Sequence, residues 1–334
     1  MSLSKEEIAN LSSLLLSKED TNTALAFELI QEPAIAQELI TELFAVYKLA
    51  EEEELKQTAK AKIESVANPA TIALLSSGKR LSRSAHYDPN EKTIAKNISY
   101  YVSGSKEELQ GVKLALALVK KYGHGYEYLF NNLSSAELIA FFQDFKQGKI
   151  FRFSKKGVGK LPKEIFLIEG VEEIEEFDVS GNKLGTLPAS IAKLKNLKKL
   201  VVSSNNIKSI NKAIIKLQKL VYLDINDNKF KEFPMILTQC PALVELSALY
   251  SFSYFSRAYV LPKEIAHITT LKTFHYTEHC HHQEFMQVIQ NLTHLEKLVV
   301  SHSKEMEQAL PLLQKTLPNC AVSLSNQLFS LNYN

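Results

Sequence analysis

Cysteine is scarce in this 334-residue chain: Cys240, Cys280 and Cys320 are the whole complement, and no two are spaced as CxxC. Three thiols cannot form an all-paired disulfide framework. No apolar run approaches the ~20 residues a membrane-spanning helix needs. The first thirty residues carry Lys5, Glu6, Glu7, Lys18, Glu19 and Asp20 and hold no apolar core of signal-peptide length. Catalytic signatures are missing as well: there is no HExxH, no GxSxG, no glycine-rich loop after a strand and no kinase motif set. Gly78-Lys79 lacks the preceding glycine of a phosphate-binding loop. The net charge is only +2. Residues 1–147 hold 16 Lys and Arg against 20 Asp and Glu, and the remainder holds 23 against 17, which is sparser than the basic stripe of a nucleic-acid surface. These absences lead to an expectation of a cytoplasmic, non-enzymatic protein with no cofactor and no nucleic-acid or membrane partner.

What is present in residues 1–147 is helical periodicity. Ser4-x-x-Glu7, Ser17-x-x-Asp20, Ser105-x-x-Glu108 and Ser134-x-x-Glu137 each set a hydroxyl three residues before an acid, the arrangement of a helix start. Apolar residues come next at spacings of three and four, as in Leu25 and Leu29, then Ile35, Leu39, Leu43 and Val46, then Leu114 and Leu118. Pro33 suits a first helical turn. The similarity of the segments after Ser17 and Ser105 allows a pair of related helical hairpins. Residues 67–90, punctuated by Pro69, Gly78 and Pro89, read as a connection between helices.

From Ile174 the chain repeats every 23 residues. Ile174, Phe177, Val179, Asn182, Leu184, Leu187, Ile191 and Leu194 recur as Leu197, Leu200, Val202, Asn205, Ile207, Ile210, Ile214 and Leu217. They recur again as Leu220, Leu223, Ile225, Asn228, Phe230, Phe233, Leu237 and Cys240, so that Cys240 fills a leucine slot. Earlier and later segments carry the pattern with insertions, for about seven turns. The LxL pairs alternate at period 2 and predict short strands with their leucines inward. One turn cannot bury its own apolar face, but stacked turns share a core. Asn182, Asn205 and Asn228 fall at the bend, where an amide can both donate to and accept from backbone.

This LxxLxLxxNxLxxLPxxIxxL pattern resembles the intracellular class of leucine-rich repeat proteins, over residues 148–324. The resemblance implies an α+β chain: an N-terminal all-helical domain (1–147), then a leucine-rich repeat solenoid (148–334) with a parallel sheet on the concave face and short extended or 3-10 segments on the convex face. It implies a scaffold that grips a protein partner with its concave sheet. The helical domain and the 310–324 segment are expected to cover the two open sheet edges.

Residues between the inward leucines face the concave side, giving a middle row Arg152, Asp178, Val201, Asp224, Ser247, His275 and Val299. Asp224 and Asp227 make an acidic spot flanked by Tyr222 and Tyr250. The insertion Tyr250–Tyr259 packs five aromatics into ten residues, and Tyr254, Arg257 and Tyr259 suit an interface because aromatics and Arg anchor such surfaces. The partner-binding candidates are therefore Arg152, Asp178, Tyr222, Asp224, Asp227, Tyr250, Tyr254, Arg257, Tyr259 and His275. Two alternatives stand beside this reading. His275, Glu278, His279, Cys280, His281, His282 and His302 offer zinc-type ligands without a recognised spacing. The helical half could also carry an activity that the repeats only target.

Overall fold

The computed structural model describes residues 3–81, 91–251, 261–277 and 282–325. The chain divides into two compact units, residues 1–133 and a second unit beginning at Ser134.

The first unit is helical: α1 (Lys5–Leu15), α2 (Asp20–Leu29), α3 (Pro33–Glu38), α4 (Ile40–Leu49), α5 (Glu53–Glu64), α6 (Pro69–Leu75), α7 (Glu91–Gly104), α8 (Gly111–Tyr122) and α9 (Tyr126–Asn132). Ser4 caps α1 in a reciprocal box, its Oγ accepting from the Glu7 amide while the Glu7 carboxylate accepts from the Ser4 amide. Ser17 and Ser105 do not cap helices. Glu19 precedes α2 and Ser17 Oγ accepts from the Glu19 amide. Glu108, at the acid position of the Ser105 motif, instead accepts from the Asn68 amide and from Gln37 Nε2. The matched serines therefore do different jobs, and the paired leucines do as well: Leu25 and Leu29 are 45% and 51% exposed, whereas Leu114 and Leu118 are fully buried. Helix α2 turns its Thr23, Ala26 and Phe27 face inward, where the small residues permit close approach and Thr23 Oγ1 donates to the Leu15 carbonyl.

Part of the expected connection at 67–90 is ordered helix. Asn68 caps α6 by accepting from the Thr71 amide, and Pro69 occupies the first helical turn. The end of α6 is tied down by Tyr47 and Lys48, which both donate to the Leu75 carbonyl. The segment after it is held by Lys48, which also donates to the Ser77 carbonyl, and by Tyr101, whose hydroxyl donates to the Lys79 carbonyl. Burial brings the Lys48 ammonium down to a pKa of about 8, while its position at the carbonyl end of α6 favours the cation.

The second unit opens with α10 (Ser135–Gln143), capped by the Ser134–Glu137 box. One sheet comes next: β1 (Lys146–Gln147), β2 (Ile150–Arg152), β3 (Glu176–Asp178), β4 (Lys199–Val201), β5 (Tyr222–Asp224), β6 (Glu245–Ala248), β7 (Thr273–Tyr276), β8 (Lys297–Ser301) and β9 (Ala321–Ser325), in chain order. Only the β1–β2 pair is antiparallel; β2 to β9 are parallel in continuous register. Phe151, Phe177, Leu200, Leu223, Leu246, Phe274, Leu298 and Val322 form one register row. Its first seven members are fully buried. Strand β1 pairs along the free edge of β2, and Phe142 and Phe145 pack edge-on against Phe153 at 5.4 and 4.9 Å. The first edge is thus covered from within the second unit.

Back across the convex side, 3-10 segments run over Lys163–Leu167, Ala189–Lys193, Lys212–Lys216, Met235–Gln239 and Lys263–His267. Where Asn211 replaces the repeat's proline, its Oδ1 accepts from the Ala213 amide and starts the segment in proline's place. The last two crossings are full helices instead, α11 (His282–Ile289) and α12 (Lys304–Thr316). The α11 crossing lacks the Leu-Pro punctuation, and in α12 Leu310-Pro311 falls inside the helix, where Met306, Ala309 and Leu313 recur at a helical period. The 310–324 segment contributes the end of a crossing helix and most of β9, an eighth parallel strand that ends the sheet among the described residues.

The asparagines form the ladder the pattern calls for, each 6% exposed. Asn205 Nδ2 donates to the carbonyls of Val179, Val202 and Ser203, and its Oδ1 accepts from the Leu184 amide. Asn182 and Asn228 repeat the arrangement one turn to each side. At the next turn Ser251 carries on the ladder, its Oγ donating to the Ile225 carbonyl. The residue before each of these positions, and Lys155 before the equivalent Lys156, adopts a left-handed backbone: Lys155, Gly181, Ser204, Asp227 and Tyr250 have φ of 55°, 65°, 54°, 49° and 52°. That bend ends each strand, so side chains at this column sit at the lip of the sheet.

Candidate binding face

The parallel register places the sequence-derived middle row on one line. Arg152 pairs with Asp178, Asp178 with Val201, Val201 with Asp224, Asp224 with Ser247, Ser247 with His275 and His275 with Val299. Period-2 alternation sends a second row to the same side, two residues earlier: Ile150, Glu176, Lys199, Tyr222, Glu245, Thr273, Lys297 and Ala321. Of this row only Tyr222 stands out from sequence. The rest could have been found by counting one residue back from each inward leucine.

The two rows are electrostatically different along their length. At the start, charges are matched across strands. Arg152 reaches Glu176 at 3.0 Å and Lys199 reaches the same carboxylate at 3.7 Å. Just outside, Glu175 bridges Lys149 and Lys198 at 2.8 Å each. Those two ammonium donors, Lys149 first, hold the Glu175 carboxyl at a pKa of about 2.

The middle of the face is polar but poorly solvated. Burial, helped by the Asp224 and Glu245 charges, pushes the Tyr222 hydroxyl up to about 12, and its ring lies 5.6 Å from the Lys199 ammonium. Burial also raises the Asp224 carboxyl, with Asp178 adding to the shift; the Asn226 amide opposes it by donating to Asp224 Oδ1 at 2.9 Å. The acidic pairing is thus Asp178 with Asp224 across Val201, whereas Asp227 sits exposed at the bend. Tyr250 occupies the same bend one turn on, its amide donating to Thr277 Oγ1.

His275 is 21% exposed and its Nε2 lies 3.5 Å from Glu245 Oε1 without forming a hydrogen bond. Burial lowers its pKa, aided by Lys297 and opposed by Glu245. The folded chain thus favours the neutral ring. Below the ordinary unfolded value of about 6.5 the unfolded chain takes up the proton more readily. This group therefore costs stability as pH falls from there through the lower folded midpoint. We expect the His275 ring resonances to titrate below the ordinary midpoint in an NMR pH series, and a midpoint above it would contradict this burial.

The histidine-rich segment does not converge among the described residues. His275 faces Glu245, while His302 pairs with Glu307 of α12 at 2.9 Å. No group of three His, Cys, Asp or Glu side chains there could hold a metal ion. Glu278, His279, Cys280 and His281, the His282 side chain, and Tyr254, Arg257 and Tyr259 of the aromatic insertion lie outside the described residues. Cys240 is a buried core residue as its slot implies, its thiol pushed up to about 11 by burial.

A curved parallel sheet backed by 3-10 segments at a 23-residue period defines a leucine-rich repeat solenoid, a fold that serves as a binding scaffold and is typically non-catalytic. Residues 176–331, all within the second unit, match the family described as leucine-rich repeat region, and this part of the chain is such a region. Similar solved structures include a leucine-rich repeat protein of Leptospira interrogans, 21% identical over 52% of this chain and 59% of that one, with a TM-score of 0.30. An internalin of Listeria monocytogenes is 14% identical over 53% and 48%, with a TM-score of 0.38. A plant ice-binding protein is 17% identical over 53% and 56%, with a TM-score of 0.36. In each case the chain spans less than two thirds of that protein's length. No curated protein matches the chain significantly. No described helix is long and apolar enough to cross a membrane.

Proposed function

We propose that the chain is a non-catalytic scaffold that binds a protein partner through the concave face between Arg152 and His275 and through the 250–259 insertion. The observation that carries this reading is the middle of the face. Tyr222, Asp224 and His275 are each withdrawn from water far enough to perturb their ionisation, yet they stand on an open sheet rather than in a core. Perturbed groups gathered on one accessible surface make that surface a candidate functional site. A partner that supplies donors to Asp224 and Asp178, an acceptor to Tyr222 and an apolar contact to Val201 would complete the desolvation already begun.

Arg152, Glu176 and Lys199 form the matched-charge rim of this site and fix register more than affinity. Tyr222 is the best-placed anchor, because a half-buried tyrosine adds area at low entropic cost. The test is the affinity of a purified captured partner for the wild-type full chain and for variants of this face. Truncating a central anchor is expected to weaken binding by about thirtyfold or more.

A further inference from the structure

Between Val179 and Leu223 the chain has nine lysines and not one Asp, Glu or Arg. Two of them, Lys198 and Lys199, are matched by Glu175 and Glu176 on the strand side. Three more, Lys193, Lys212 and Lys216, lie on the other side, on the 3-10 segments. The first residues of successive 3-10 segments are Lys163, Ala189, Lys212, Met235 and Lys263, and the last residues are Leu167, Lys193, Lys216, Gln239 and His267. All five of these lysines are exposed. None of the five meets a carboxylate within ion-pair distance among the described residues; Lys193 donates only to the Phe166 carbonyl. Within the five segments the acids are Glu164, which is buried against Ser135, and Glu264. Two large aliphatic side chains stand among the lysines, Leu167 at 45% and Met235 at 41% exposure.

We infer that this convex face adsorbs to an anionic lipid surface. A row of unpaired ammonium groups on one solvated face is an electrostatic footprint for a polyanion. Its composition separates the possible polyanions. Protein interfaces are depleted in Lys and rely on Arg and aromatic anchors, and no Arg, Phe or Tyr lies between Val179 and Val221. Single-stranded nucleic acid is gripped by aromatic stacking, which is equally missing, and a phosphate backbone gains nothing from Leu167 or Met235. A bilayer surface rewards both features, the lysines through headgroup charge and the aliphatic side chains through shallow burial. The absence of a spanning helix, on which the expectation of no membrane partner rested, does not bear on surface adsorption. The inference is independent of the concave face.

The test is flotation of the full chain with phosphatidylcholine vesicles, with and without phosphatidylserine, beside a binding series on duplex DNA and on polyglutamate at the same ionic strength. The chain is expected to partition onto the serine-containing vesicles only, and to be released by salt. Lys193→Glu/Lys212→Glu/Lys216→Glu should weaken that partition by at least about a hundredfold, since each lysine near a charged bilayer contributes a several-fold factor. The neutralising set Lys193→Gln/Lys212→Gln/Lys216→Gln should show the same direction with a smaller loss. Equal binding to both vesicle types, unchanged binding by both variants, or tighter binding to DNA or polyglutamate than to the vesicles would each overturn the inference.

Discussion

Asn205→Leu is expected to destabilise the repeat unit by about 3 kcal/mol, while leaving every apolar contact of the turn in place. Leucine keeps the branched heavy-atom skeleton with bulkier ends, so the effect comes mainly from the lost hydrogen bonds, with some crowding added. Their loss is uneven. The Val179 carbonyl is shared with Asn182 and the Val202 carbonyl with Asn228, so each keeps one partner. The Leu184 amide has Asn205 Oδ1 as its acceptor and is left buried without one. An orphaned buried donor costs roughly 1–3 kcal/mol, and the weakened shared bonds add to it. Thermal unfolding monitored by circular dichroism should show a melting point lower by roughly 10 °C for a domain of this size. A shift below about 2 °C would mean that water or backbone relaxation satisfies the ladder instead. Because each amide bonds to the preceding turn, Asn182→Leu combined with Asn205→Leu should be non-additive.

Phe177→Ala should be the most costly single truncation at the start of the solenoid, at about 3–5 kcal/mol. Phe177 is fully buried, stacked on Phe151 at 5.0 Å and 10°, with the Phe166 ring at 5.9 Å. Most other turns place leucine in this slot, and the reason for the aromatics is local. The insertion around Glu169–Val171 lengthens the crossing, and Val171–Glu173 adds a short 3-10 turn. Ring stacking fills the wider layer. Phe177→Leu restores the commoner residue and is expected to cost less than about 1.5 kcal/mol. Urea unfolding of both variants separates the cases: if Phe177→Leu were as damaging as Phe177→Ala, ring stacking rather than volume would dominate this layer.

The repeat is legible in the sequence because its information is redundant. Inward Phe177, Leu200 and Leu223 recur with identical phase, so the strand register and the concave row from Arg152 to Val299 can both be counted out from sequence. The second concave row obeys the same count, but it lies on the near side of each leucine, where the pattern fixes no residue type and nothing marks Glu176 or Lys199 as special. The helical unit is less legible for a physical reason. A serine three residues before an acid is stabilising at a helix start but also useful in a turn, and only packing decides, as Ser4 and Ser105 show. Likewise Leu25 and Leu29 satisfy a helical period while lying on the face that α2 leaves in water. Near Ser303 the missing asparagine looks like decay of the repeat; its hydroxyl instead caps α12 by accepting from the Met306 amide.

The charge pattern links the two functional proposals. Carboxylates are concentrated on the strand side, where Glu175, Glu176, Glu245 and Asp224 meet Lys149, Arg152, Lys198, Lys199 and His275. Lys163, Lys193, Lys212, Lys216 and Lys263 lie on the convex side. A partner held on one face and an anionic surface on the other would use the two sides of one sheet without competing.

The most direct measurement of the central claim is calorimetric titration of a purified partner, first captured by the full chain, into wild-type protein and into Tyr222→Ala, Asp224→Ala and Tyr222→Ala/His275→Ala. The concave-face account predicts that Tyr222→Ala weakens binding by about thirtyfold or more and that the double variant abolishes measurable heat, with melting points close to wild type. Wild-type affinity in all three folded variants would place the partner elsewhere and contradict the account.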